Sequence, residues 1–341
     1  MSIMNLLNKN SGLSKDELVF LLNLNDESAV NQLFDYANEI RNKHFGQNIN
    51  LHGVISFSNN CYQNCLFCGL REDNLFVPRY RMSAEEILES AKLIYTKGVR
   101  TIILQSGEDS AYDTDLISYI IYSLKRQFDV LITLNIGQRS FDEYKTWKIA
   151  GADNYLLKYE TSNQSLFSNY HGKAKLSERL NHLNYLKRIG YSVGSGGIIG
   201  VPHQTYEDIA EDIMLYKKLK INMAAFAPFV PATNTPYQNC EPASILLTLK
   251  VMAILRIIMG KVDILSASAL DSMEINGCER GLRAGANFIM SNYTPDPYRK
   301  YYQVFRNDIS INDDPVSAHK LIKARIEALG KRISDSETRT N

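Results

Sequence analysis

The chain has 341 residues, 45% of them hydrophobic and 22% charged, which matches a globular protein with an ample core, built as one large domain or two ordinary ones. Its 38 basic and 37 acidic side chains leave a formal net charge of +1, so no broad field draws it to nucleic acid or to a membrane surface. The N-terminus lacks the apolar core of a signal peptide, and no apolar run approaches the ~20 residues of a membrane span, so the expected location is the cytoplasm.

The first 45 residues read as two helices. Ser14 and Glu17 have the spacing of a capping box, and 27–45 forms a second helical run. An apolar run over 51–57 then leads into three cysteines, Cys61, Cys65 and Cys68, spaced C-x3-C-x2-C. Thiolates are soft ligands, and three on one short loop suit an iron–sulfur cube whose fourth iron keeps an open position for a small molecule. Structural zinc normally takes four ligands in two pairs, whereas the nearest histidine, His52, lies on the apolar run and Cys240 and Cys278 are far along the chain. An odd total of five cysteines also speaks against a disulfide framework.

Beyond the cysteines, β-rich apolar runs alternate with amphipathic helical runs. Strands are expected over 53–58, 99–105, 130–134, 154–158, 192–200, 223–228, 262–266 and 286–290. Ser83 and Glu86 form a second capping box before the helix at 84–96, and Gly98, Gly151 and Gly190 stand where helices must stop and strands begin. Eight strand–helix pairs predict an α/β chain folded as a single (β/α)8 TIM barrel rather than two doubly wound domains. The expected division is an N-terminal helical cap over 1–49, the barrel over 50–305, and a C-terminal extension over 306–341 with a helix at 315–330 and a polar, frayed tail.

Chemistry in this architecture gathers at the C-terminal ends of the strands, and the cysteine loop follows strand one. Strand two ends in Ser106, Gly107 and Glu108. Gly107 lets a backbone approach a ligand, and Glu108 offers a carboxylate to an ammonium group or simply caps a helix. Lys158 and Glu160 end strand four, as a rim ion pair of little energetic weight or as a cradle for a zwitterionic amino acid. Arg179 opens the next helical run, a fork for a carboxylate or a solvated side chain. The glycines of strand five, Gly197 and Gly200 among them, lack the G-x-G-x-x-G order; they fit close approach of a flat ring, adenine being a natural candidate, or of another backbone.

With aromatic Phe67 just before its third cysteine, the loop resembles the signature of radical S-adenosylmethionine enzymes. That resemblance implies a [4Fe–4S] cluster on Cys61, Cys65 and Cys68, with S-adenosylmethionine chelated at the open iron and cleaved by one electron to a 5′-deoxyadenosyl radical. It also implies that Ser106, Gly107 and Glu108 meet the amino group, that Glu160 and Arg179 contact the methionine portion, and that 197–200 flanks adenine. Further motifs are CGLREDN at 68–74, RYRM at 79–82, LQSGED at 104–109, PFVP at 228–231, Thr235-Pro236, GANFIM at 285–290 and NYTPDPYR at 292–299. Together they resemble the HydE-type maturases of [FeFe]-hydrogenase, with biotin synthase and methylornithine synthase as nearest relatives.

The HydE-type resemblance implies a small-molecule substrate, an iron complex bearing cysteine, carbonyl and cyanide ligands, together with an electron donor and the other hydrogenase maturases. It places the substrate among Thr133, Met223, Ser268, Met290, Tyr298 and Tyr302, although methionines of this kind also serve as core filler. The alternatives are a radical mutase acting on a small amino acid and a non-catalytic iron–sulfur or iron–carbonyl scaffold. Departures from the subgroup are Lys158 for a common arginine, Tyr159 for a histidine, Ala227 for a glycine and Ala267-Ser268 for a threonine pair. The three cysteines that hold an accessory cluster in some members have no counterpart over 305–319.

Overall fold

The computed structural model describes residues 3–9, 12–172 and 174–334. Its strands are β1 (Asn48–Ser58), β2 (Thr101–Ser106), β3 (Leu131–Asn135), β4 (Asn154–Leu156), β5 (Ser192–Ser195), β6 (Ile198–Ile199), β7 (Met223–Ala224), β8 (Ala227–Pro228), β9 (Asp263–Ser266), β10 (Phe288–Asn292) and β11 (Arg332–Ile333). Helices α1 (Ile3–Leu7), α2 (Lys15–Leu22) and α3 (Glu27–Phe45) precede the first strand. Between strands run α4 (Ala84–Thr96), α5 (Thr114–Gln127), α6 (Phe141–Ala150), α7 (Gln164–His171), α8 (Leu176–Arg188), α9 (Tyr206–Leu219), α10 (Ile245–Met259), α11 (Ser268–Met273) and α12 (Gly277–Arg283), followed by α13 (Asp296–Arg299) and α14 (Pro315–Ala328).

Strands β1, β2, β3, β4, β5, β7, β9 and β10 pair in that order, all parallel, and β10 pairs back with β1 to close an eight-stranded barrel. The outer helices are amphipathic as their patterns require. In α5, Ile117, Ile120, Ile121 and Leu124 form the buried stripe, and Asp113 caps the start by accepting from Leu116 N. Both expected capping boxes, at Ser14 and Ser83, are present. Gly98, Gly151 and Gly190 carry φ of 83°, 118° and 90°, the left-handed helix stop.

Four expectations change. The N-terminal segment makes three helices rather than two; α2 and α3 pack on α9 and α10, with Lys250 Nζ donating to Leu24 O at 2.9 Å. The runs 192–200 and 223–228 each break into two strands: beyond Ser195 and Ala224 the chain leaves the closed sheet, and β6 pairs with β8 in a separate ladder. Strand four ends at Leu156, so Lys158 and Glu160 stand beyond it. Residues 332–333 pair with Asn48 and Ile49 rather than fraying, while 335–341 lie outside the described residues.

One buried cation joins the last two barrel strands to α10. Arg256 is fully buried and donates from Nε to Gly285 O (2.8 Å), from Nη1 to Val262 O (2.8 Å) and from Nη2 to Asn287 Oδ1 (2.7 Å). Arg256→Met keeps the length and strands the Gly285 and Val262 carbonyls, while Asn287 Oδ1 still accepts from Ile264 N at 2.8 Å. At about 1–3 kcal/mol for each buried group left unsatisfied, a loss of at least about 2 kcal/mol is expected as a lowered urea midpoint followed by circular dichroism. A midpoint equal to wild type would mean that water replaces the guanidinium.

Candidate active site

The cysteine loop is shaped by one guanidinium. Arg79 donates from Nη1 to Leu70 O (2.9 Å) and from Nη2 to Arg71 O (2.7 Å) and Asn74 O (3.1 Å), and it also binds Asn59 O. The loop is fastened at three further points: Tyr62 N donates to Glu108 O (3.2 Å), Leu66 N to Tyr170 O (2.9 Å) and Gly69 N to Val304 O (2.9 Å). Gly107 supplies the closest approach. A Cβ there would lie 2.3 Å from Asn60 O and 2.7 Å from Cys61 Cβ, so the loop can reach this position only over a glycine.

Cys61, Cys65 and Cys68 line one pocket with Phe67. Burial raises all three thiol pKa values, Cys68 to about 12, and the neighbouring sulfurs push Cys65 and Cys68 up further. Three thiolates here are costly without a cation, and a positive metal centre offsets both burial and mutual repulsion. No three His, Cys, Asp or Glu side chains among the described residues are placed to hold a single ion. A cube takes one thiolate on each of three irons, so its ligands need not meet at a point, and the donor set fits that group.

Charged side chains surround the mouth of the same pocket. Glu108 is buried and accepts from Gln63 Nε2 (2.8 Å) and Gln138 N (2.9 Å). Glu160 follows β4 with φ of 66°, a left-handed conformation that a non-glycine residue adopts at a cost. Its Oε2 lies 3.1 Å from Lys158 Nζ, yet no hydrogen bond with acceptable alignment satisfies this buried oxygen. Arg179 donates from Nη1 to Lys158 O (2.7 Å) and from Nε to Gln138 Oε1 (3.1 Å), which brings its guanidinium against the same turn. Two carboxylates and two cations beside three thiols suit a zwitterion bound next to a metal.

The pocket wall therefore gathers Cys61, Cys65, Phe67, Cys68, Ser106, Gly107, Glu108, Lys158, Glu160 and Arg179, from the end of β2, the segments after β1, β2 and β4, and the start of α8. The other expected residues lie off that wall. Gly197 bridges to Glu160, where a Cβ would stand 2.4 Å from Glu160 O, and Gly200 sits against Ala243; both serve backbone approach, and Ile198 between them faces the pocket. Thr133 is fully buried, its Oγ1 accepting from Asn154 Nδ2 at 3.0 Å. Met223 packs with Leu156, Ala225, Leu265, Ala267 and Phe288, and Met290 lies against them.

Ser268 and Met290 line a separate cavity under α14. Tyr298 stacks on Tyr80 and donates to Glu86 Oε1 at 2.6 Å, at the start of α4, while Tyr302 is buried with its hydroxyl at Gln105. The residues missed by sequence reasoning include Gln63, Asn135, His171 and Ala269, which do line the pocket. Strand alternation exposes one of them: Ser56, Gln105 and Asn135 share a register across β1, β2 and β3, and their side chains bond in a row at 3.2 and 2.7 Å. His171 carries no such signal.

Gly107→Ala is expected to push the cysteine loop off β2 and remove most of the iron and sulfide from anaerobically reconstituted protein, with little change in far-ultraviolet circular dichroism. Full metal content in that variant would show that the loop has another way to seat.

Residues 55–215 match the model of the Radical SAM superfamily. The chain is 39% identical over 319 residues, 94% of its length and 91% of the relative's, to the [FeFe] hydrogenase maturase subunit HydE of Thermotoga maritima. It is 30% identical to the 3-methylornithine synthase of Methanosarcina acetivorans, covering 93% of this chain and 89% of that one. The crystal structure of methylornithine synthase (PylB) superposes with a TM-score of 0.85 at 25% identity over 98% of this chain and 97% of the other. A closed parallel barrel, a thiol triad on its first loop and identity sustained along almost the whole chain make this protein a member of the radical SAM superfamily.

Proposed function

We propose that the protein is a HydE-type radical S-adenosylmethionine enzyme that acts in assembly of the [FeFe]-hydrogenase di-iron site. The observation that carries the cofactor reading is the Glu160 carboxylate: a buried oxygen without an aligned donor, set in a strained turn beside three thiols. Cys61, Cys65 and Cys68 hold a [4Fe–4S] cluster, which with bound S-adenosylmethionine supplies the electron and the scissile sulfonium bond of an adenosyl radical. Glu160 accepts the ammonium of the methionine portion. Lys158 and Arg179 face its carboxylate, and the backbone of Ser106, Gly107 and Glu108 fixes its amino end. Phe67 and the segment from Gly197 to Gly200 flank the ring.

The substrate reading rests on the identity to the maturase HydE along the chain. Asn135, Leu156, Ala227 and Ala269 form the pocket wall available to a small iron complex, with Met223 and Met290 packed against Leu156 and Ala227 as support and Thr133 buried beside Asn154. The partners of this reading are an electron donor and the other maturases, in a reducing cytoplasm that keeps the thiols available. No helix among the described residues is long and apolar enough to cross a membrane. The near-complete overlap with methylornithine synthase supports a second reading, a radical mutase of a small amino acid.

Counting 5′-deoxyadenosine per protein decides between them. Stimulation by an iron–cysteine complex carrying carbonyl and cyanide is expected; stimulation by amino acids alone favours the mutase, and none above the cluster-only background favours a scaffold. Glu160→Gln is expected to weaken S-adenosylmethionine binding about tenfold to a hundredfold, the equivalent of about 1.5–3 kcal/mol for one charge-assisted hydrogen bond. Unchanged affinity by calorimetry removes Glu160 from the site.

A further inference from the structure

His171 ends α7, far in sequence from the cysteine loop, yet its Nδ1 lies 3.1 Å from Cys65 Sγ. The ring is only 6% exposed. Phe67 meets it edge-on at 5.5 Å and Phe167 packs against it at 4.6 Å, so it has little freedom to turn. The contact is also built into the backbone, because Leu66 N, beside Cys65, donates to the carbonyl of Tyr170, beside His171. His171 Nε2 is buried with no hydrogen-bond partner, so Cys65 Sγ is the polar partner of the ring.

We infer that His171 donates a hydrogen bond from Nδ1 to the Cys65 sulfur and thereby raises the reduction potential of the cluster, as a positioning residue rather than a ligand. A metal-bound thiolate can only accept, which places the single ring proton of a neutral imidazole on Nδ1. Ligation of the open iron by the same nitrogen conflicts with the geometry, since ligands on different irons of a cube stand farther apart than hydrogen-bond distance. The balance is simple: the oxidised cluster takes one electron from the donor, no proton moves, and the added negative charge falls partly on the cysteine sulfurs. An N–H dipole aimed at one of these sulfurs stabilises the reduced state more than the oxidised one, and burial keeps water from screening it. The residue thus tunes how readily the cluster accepts an electron.

This inference rests on the cluster reading above, and the experiment separates the two. Protein labelled with 15N-histidine is reconstituted, reduced without S-adenosylmethionine and examined by pulsed electron paramagnetic resonance. Among the described residues His171 is the one histidine on the pocket wall, so a single histidine nitrogen coupling and an exchangeable proton are expected. In redox titrations, His171→Leu should lower the reduced-to-oxidised ratio at fixed poise about tenfold, equivalent to ~59 mV for one electron. His171→Asn, which keeps a side-chain N–H, should recover part of the shift. Absence of the histidine coupling in wild type overturns the inference, even if the leucine variant fails to assemble. A leucine variant with wild-type potential overturns it too. Failure of wild type to take up any cluster would instead overturn the cluster reading.

Discussion

A loop that presents three thiols must be rigid before any metal arrives, and here that rigidity is centred on Arg79. Its two terminal nitrogens collect carbonyls from Asn59, before the first cysteine, and from Leu70, Arg71 and Asn74, after the third. A planar fork with five donors can gather several carbonyls at fixed angles, which a lysine cannot. The loop's remaining anchors reach β2, α7 and the segment after α13, so the thiols are referenced to three separate parts of the barrel. Displacing any of these parts moves a sulfur.

The charges at the pocket mouth obey a second constraint. Glu108 has two well-made donors, whereas Glu160 holds a left-handed backbone conformation and an oxygen without an aligned donor. The first carboxylate is internally satisfied and positions its neighbours. The second keeps unspent hydrogen-bonding capacity and tolerates strain because its backbone is held on both sides: Glu160 N donates to Gly196 O at 3.0 Å and Glu160 O accepts from Ile198 N at 3.2 Å. Two residues of the same type on one rim are thus prepared for different work by their surroundings.

Much of the fold was legible in the sequence because it is carried by local signals. Capping boxes at Ser14 and Ser83 and the apolar stripe of α5 depend on spacings of three and four residues, and the structure keeps them. The cysteine loop and the acidic end of β2 were legible for the same reason. What was not legible depends on tertiary closure. A continuous apolar run does not reveal that β5 and β7 stop early, because the split is set by the paths of neighbouring strands. Thr133 and Met223 point inward, yet whether an inward side chain meets a ligand or another side chain is decided by how completely the lumen is filled. The His171 contact pairs a helix end with a distant loop, and no periodicity marks it.

The early end of β5 and β7 also gives the pocket its two characters. Had both strands run on in the closed sheet, the barrel would have kept one circumference to its rim. Instead β6 and β8 pair on their own, and Ile198, Pro228, Phe229 and Val230 form an apolar face beside the cysteine loop. The polar groups lie on the turns after β2 and β4 and at the start of α8. A ligand with a zwitterionic end and a flat, weakly polar ring meets complementary surfaces at each end, and a uniformly charged or uniformly apolar ligand would leave one of them unmatched. Below both, the row Ser56, Gln105 and Asn135 gives way to the buried Thr133–Asn154 bond and to the apolar cluster of Met223 and Phe288.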